Sequence, residues 1–279
     1  MFRRIGVLAT FMAGALLAGC ASTGRLRTFS DFKYPAGDST RIYLLADCLV
    51  LDNIEGPRHA LDVTFNERTC NDFARAVAVR LQDDSKLPVT VKAVTLGLLT
   101  GSGRFVRTTD EKTGRVNLPV YVSETRLSPD EQRIFASVSK RLNDSVYGWK
   151  QRRNYVESLE DSRFPIIRET GLGDDALIMM AFLDGMRMRG SATVGQGNLS
   201  ALFTLGSGGG GQRSMTSAKA ILLRSDGTPV WADATFSHDP MDSGSQVSSL
   251  AHTLLRYFPF RVAGSGSTGQ RDAGTTSTD

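Results

Sequence analysis

Alternating and helically spaced apolar residues divide the middle of the chain into readable elements. Over residues 41–52, Ile42, Leu44, Ala46, Cys48 and Val50 fall on one side of an extended strand, and Tyr43, Leu45, Leu49 and Leu51 on the other, because successive strand side chains point to opposite faces. Apolar residues on both sides predict a central strand covered on both faces. Thr69, with Asp72 three residues on, resembles a helix-capping box. Phe73, Ala76, Val77 and Leu81 supply the helical stripe behind it, and Asp83-Asp84-Ser85 closes it. Residues 88–99, rich in Val and Leu, predict a second strand. The opening is therefore strand–helix–strand.

An insert at about residues 100–165 follows, a span argued from turn and capping residues. Gly101, Gly103, Gly114 and Pro119 surround two short β-like pieces, residues 104–108 and 116–122. Ser128-Pro129-Asp130-Glu131 combines a cap, a proline at the first helical position and a glutamate three residues after the cap. Ile134, Phe135, Val138 and Leu142 give that helix its apolar face. A charged, aromatic stretch runs on to Ser162, helical in part, with a break at Gly148. Residues 176–187 predict an apolar strand interrupted by Asp184-Gly185, with a helix as the alternative because Met and Ala suit one. Further strands are predicted at 198–205, 214–224 and 228–236. Ser225-Asp226-Gly227 makes the last two a hairpin. Val247, Leu250, Ala251, Leu254, Leu255 and Phe258 mark a final helix stopped by Pro259. The predicted class is α/β (α+β): a mixed sheet packed with helices, with a late β-hairpin and a C-terminal helix. One domain, residues 41–262, is followed by a Gly-, Ser- and Thr-rich disordered tail at 263–279.

The start of the chain carries an address. Arg3 and Arg4 precede an apolar or small run over residues 5–18, which ends Leu17-Ala18-Gly19-Cys20. This is the layout of a secretory signal, and Leu-Ala-Gly-Cys resembles the lipobox of bacterial lipoproteins. The resemblance implies cleavage after residues 1–19, a diacylglycerol on the Cys20 thiol and an acylated amine. The run of about 14 residues falls short of the roughly 20 that a membrane-spanning helix needs. Ala21 stands where an aspartate would resemble an inner-membrane retention signal, so the expected location is the periplasmic face of the outer membrane. Residues 20–40, small and polar with Gly24, Pro35 and Gly37, form the anchor and tether.

Loss of residues 1–19 lowers the formal charge from +4 to +2, too small an excess to imply nucleic acid. Cys48 and Cys70 remain as a pair in an oxidising compartment. They are expected as a disulfide, worth roughly 3 kcal/mol for a loop of about 23 residues; two buried thiols are the alternative.

Catalytic signals are sparse. Gly206, Gly208 and Gly211 spell a GxGxxG string, but a strand, not the required helix, is predicted after it. His59, His238 and His252 form no HExxH, and no CxxC is present, so no metal or cofactor is expected. Asp83-Asp84 and Asp174-Asp175 read as solvated helix-end and loop residues. Lys140, Arg141, Lys150, Arg152 and Arg153 lie among Tyr147, Trp149 and Tyr155. That patch is either a solvated helix face or a surface for an acidic envelope component, with Trp149, Arg152 and Arg153 as its anchors. The alternation over 198–205 suits a half-buried edge strand or a membrane-entering hairpin.

The tether, the strand–helix–strand start and a late hairpin reading Ala220-Ile221-Leu222-Leu223-Arg224-Ser225-Asp226-Gly227-Thr228-Pro229-Val230-Trp231 look like envelope lipoproteins. The resemblance is to the auxiliary lipoproteins of ABC-type transport and to the curli secretion channel. It implies a non-enzymatic assembly or docking module that binds membrane lipid through Cys20 and an envelope protein partner, with a homo-oligomer open. The alternatives are a periplasmic hydrolase acting on wall or lipid, with a triad built on His238 or His252, and an oligomeric secretion pore.

Overall fold

The structure, a computed structural model, describes residues 40–55, 58–98, 103–110, 114–147, 176–188 and 214–259. Cys20, the tether, Trp149, Arg152, Arg153, the 198–205 alternation and the 263–279 tail lie outside them. The predicted class holds: a mixed sheet carries helices on both faces. In chain order the elements are β1 (Arg41–Glu55), β2 (Arg58–Ala60), α1 (Val63–Ser85), β3 (Val89–Leu96), β4 (Phe105–Arg107), β5 (Arg115–Asn117) and β6 (Val120–Tyr121). They continue with α2 (Pro129–Tyr147), β7 (Ala176–Met188), β8 (Met215–Arg224), β9 (Pro229–Ser237) and α3 (Gly244–Leu254). The sheet order is β6-β3-β1-β7-β8-β9, with β2 paired to the end of β1 and β4–β5 a separate hairpin. β1 runs parallel to β3 and β7, while β8 and β9 return antiparallel.

The double alternation holds in part: one face of β1 is buried from Ile42 to Val50, while on the other Leu45 is buried and Tyr43, Leu49 and Leu51 are half-buried. Ile42, Leu44, Ala46, Cys48 and Val50 join Phe73, Val77 and Leu81 of α1 and Val247, Leu250 and Leu254 of α3 in one core. Trp231 closes that layer, meeting Phe258 edge-on at 5.0 Å between ring centres. On the opposite face, Leu45, Ala93, Ile178, Met180 and Ile221 pack under Ile134, Phe135 and Val138 of α2. Two cores separated by one sheet make a three-layer domain.

The first helix begins earlier than its apparent capping box. Asp62 is the cap, accepting the Phe65 N–H at 2.9 Å, and Thr69 lies buried inside the helix. The reason is the stripe: Phe65, Thr69, Phe73, Val77 and Leu81 hold a spacing of four, so the buried face reaches back past Thr69. Cys70 accordingly sits well inside α1, not in its first turn. It is bridged to Cys48 on β1 with 5.7 Å between Cα atoms. Asn66, fully buried, completes the fastening: its amide accepts the Val50 N–H at 2.8 Å and donates to the Val50 carbonyl at 2.9 Å. It fills the place of a neighbouring strand beyond the end of β3.

The second capping box forms as read. Ser128 N–H donates to Glu131 Oε2 at 2.7 Å, and Glu131 N–H donates back to Ser128 Oγ at 3.3 Å. Lys92 on β3 adds an ion pair to Glu131 at 2.5 Å. β7 runs unbroken through Asp184-Gly185; Gly185 is required there because a Cβ would stand 2.6 Å from the Met215 carbonyl oxygen of β8. The late hairpin turns at Ser225-Asp226-Gly227, with Gly227 at φ +81°. The final helix ends at Leu254, and its stripe continues through a turn to buried Leu255 and Phe258.

Opening the Cys48–Cys70 bridge by dithiothreitol, or by replacing both cysteines with alanine, should lower the unfolding free energy by about 2–4 kcal/mol, read by urea denaturation. Burial alone would raise the Glu131 pKa, but the Lys92 hydrogen bond and charge and the Ser128 contacts outweigh it and hold the carboxyl below its ordinary value. A depressed carboxyl contributes stability above its unfolded pKa and loses it as pH falls through the folded one. Glu131→Gln should therefore flatten the acid limb of the melting-temperature profile relative to wild type.

Candidate functional site

In an open parallel sheet the default ligand crevice lies beyond the carboxyl ends of the strands, where the strand order reverses. Here α1 carries the chain from β1 to β3 on one side, and β7 lies on the other. The crevice thus falls at the carboxyl ends of β1 and β7, where Asp52 and Arg187 stand directly opposite in register. Arg187 donates through Nε to Asp52 Oδ1 at 2.7 Å and through Nη2 to Asp52 Oδ2 at 3.1 Å. It reaches Asp62, the cap of α1, and Asp242, in the loop before α3, each at 3.3 Å. Its guanidinium lies 3.6 Å from the centre of the Phe65 ring.

Four of five guanidinium N–H groups are thereby taken by carboxylates of the chain itself. Burial would lower the Arg187 pKa, yet Asp52, then Asp242 and Asp62, outweigh it and raise it. The arrangement is a clamp. It ties β1, β7, the start of α1 and the approach to α3 at one point, and it fills the crevice with a bidentate ion pair. Sequence reading missed this cluster. The available signal was a pair of opposite charges, Asp52 and Arg187, each ending a strand expected to be buried.

A second polar group lies on the α2 face. Asp47 accepts the Thr95 hydroxyl at 2.7 Å and the Leu98 N–H at 2.9 Å, and Lys219 meets Asp184 at 2.8 Å beside Ser217. These are satisfied internal pairs, as buried charges must be.

A surface groove of 360 Å³ between α1 and α3 is lined by Asp72, Arg75, Asp83, Ser248 and His252, among others. It contains the residue types a hydrolytic triad needs, but no hydrogen bond joins His252 to Ser248, Asp72 or Asp83 among the described residues. His238 is exposed in the loop after β9, so neither candidate histidine is built into a triad among the described residues. Of the adjacent acids, Asp84 pairs with Arg80 one turn away on α1 at 2.5 Å. Among the described residues, no group of His, Cys, Asp and Glu is placed to hold a metal ion, and no helix is long and apolar enough to cross a membrane.

Comparison of the chain with protein-family models, curated proteins and solved structures returns no match.

Removing the clamp should separate its inner and outer contacts. Arg187→Met leaves Asp52, 1% exposed, without its countercharge and should cost about 3–5 kcal/mol. Asp242→Ala touches the solvent-facing contact alone and should cost less than about 1 kcal/mol. Urea unfolding of the two variants checks the contrast.

Proposed function

We propose that the protein is a lipoprotein of the outer membrane, held on the periplasmic face through acylated Cys20, whose α/β domain is a non-enzymatic docking module for other envelope components. One observation carries this reading: of three cysteines, two are joined inside the core, which leaves Cys20, beside Leu17-Ala18-Gly19, as the remaining thiol. A structural disulfide suits an exported protein, and the lipobox-like residues supply a reason for the third cysteine. The filled crevice at Arg187 fits a module that works through its surface.

Recruitment would be the mechanism. Each buried acyl methylene contributes about 0.8 kcal/mol, and stable anchoring takes more than one chain, which a diacylglycerol with an amide-linked chain supplies. Confinement beside a bilayer raises the effective concentration of the domain for a partner in the same layer.

Growth with labelled palmitate followed by membrane fractionation tests it. Wild type should carry label and sediment with membranes; Cys20→Ala should carry none and leave the membrane fraction. A Cys20→Ala chain that is still labelled, or that fractionates as wild type does, overturns the proposal.

A further inference from the structure

The β4–β5 hairpin holds two like charges side by side. In its register Phe105 stands opposite Asn117, Val106 opposite Val116 and Arg107 opposite Arg115. Directly opposed residues share a face, so Phe105, Arg107, Arg115 and Asn117 form one side, and all four are exposed. Phe105 is 70% exposed, the highest among the large hydrophobic residues described. Like charges directly across a strand pair are destabilising, and no carboxylate pairs with either guanidinium among the described residues. The fold bears this cost on a braced platform. Gly103 N–H donates to the Leu118 carbonyl and Leu118 N–H to the Arg104 carbonyl, both at 3.0 Å. Leu61, leaving β2, donates to the Arg107 carbonyl at 2.8 Å and accepts from Thr109 at 3.0 Å.

We propose that this face docks the carboxylate-bearing glycan–peptide mesh of the cell wall, one carboxylate bridging Arg107 and Arg115 while a sugar ring lies on Phe105. Cross-strand neighbours lie about 5 Å apart at Cβ, close enough for both guanidiniums to grip one carboxylate, the anion whose planar geometry matches theirs. The exposed Phe105 ring beside the arginine pair suits a sugar-borne carboxylate, and this step rests on the lipid-anchor reading, which puts the domain in the compartment of the wall. The chain from Cys20 enters the sheet at Arg41, whereas the hairpin hangs beside Leu61, just after β2 pairs with Asp52 at the far end of β1. Eleven residues of strand separate Arg41 from Asp52, about 36 Å at the usual rise. The arginines therefore lie about a strand's length from Arg41, where the chain enters the sheet.

Co-sedimentation of the full chain in detergent with purified peptidoglycan sacculi tests the proposal. Wild type should pellet with sacculi in low salt. Arg115→Glu, which sets a carboxylate opposite Arg107 and removes the repulsion, should reduce binding by about tenfold or more while the melting temperature holds or rises. Phe105→Ser should also weaken binding. Arg256→Glu, an equal change in charge on an exposed residue after α3, should leave binding intact. Sacculi with amidated carboxyls should fail to bind wild type. Cys20→Ala should bind sacculi as wild type does, so loss of the anchor and loss of wall binding are read separately. Wild type that stays in the supernatant, equal loss with Arg256→Glu, or binding to phosphatidylglycerol vesicles in place of sacculi would each overturn it.

Discussion

A central strand with a buried core on one face and a second core against part of the other is the constraint from which the rest of this fold follows. β1 is fifteen residues long; Ile42, Leu44, Ala46, Cys48 and Val50 point into one core, and Leu45, with Tyr43 beside it, into the other. Such a strand needs a layer on each side, so α1 with α3 must cover one face and α2 the other. Its buried polar groups call for partners within the protein, because an unpaired buried donor or acceptor costs about 1–3 kcal/mol. Most but not all find one: Asn53 Oδ1 has no hydrogen-bond partner among the described residues. Where β3 ends, the Asn66 amide takes over the backbone of Val50. Where β1 carries acids, Asp47 finds Thr95 and Leu98, and Asp52 finds Arg187. The disulfide from Cys48 to Cys70 fastens the same strand to the same helix.

How much of this was legible follows from the range of each interaction. The Ile42–Val50 face of β1, the hairpin at Ser225-Asp226-Gly227 and the cap at Ser128 are written in neighbouring residues and form as the sequence predicts, whereas the second face is covered only around Tyr43 and Leu45. The start of α1 was misplaced because a local Thr-x-x-Asp pattern competes with a longer stripe. The stripe wins, since it reaches back to buried Phe65 and Asp62 supplies the cap ahead of it. The Arg187 clamp was illegible for a different reason: Asp52 and Arg187 lie 135 residues apart, and only the parallel pairing of β1 with β7 puts them in register. Gly185 is similar. Its place in the sequence suggests a break, but the approach of the β8 backbone explains it.

The arginines of this chain divide into two kinds, and the division bears on what the domain does. Arg187 is surrounded by carboxylates of its own chain and stacked on Phe65, so its charge is committed to holding four segments together. A ligand would have to displace a bidentate pair with a buried aspartate, which is energetically closed to a weakly held surface partner. Arg107 and Arg115 stand in the reverse condition. They are exposed, adjacent in the same face and uncompensated by a described carboxylate, so an incoming anion meets no competitor and relieves a repulsion already present in the free protein. The crevice that fold geometry nominates is thus occupied, and the surface that local charge nominates is open. Of the two, only the hairpin surface leaves guanidinium groups exposed to solvent.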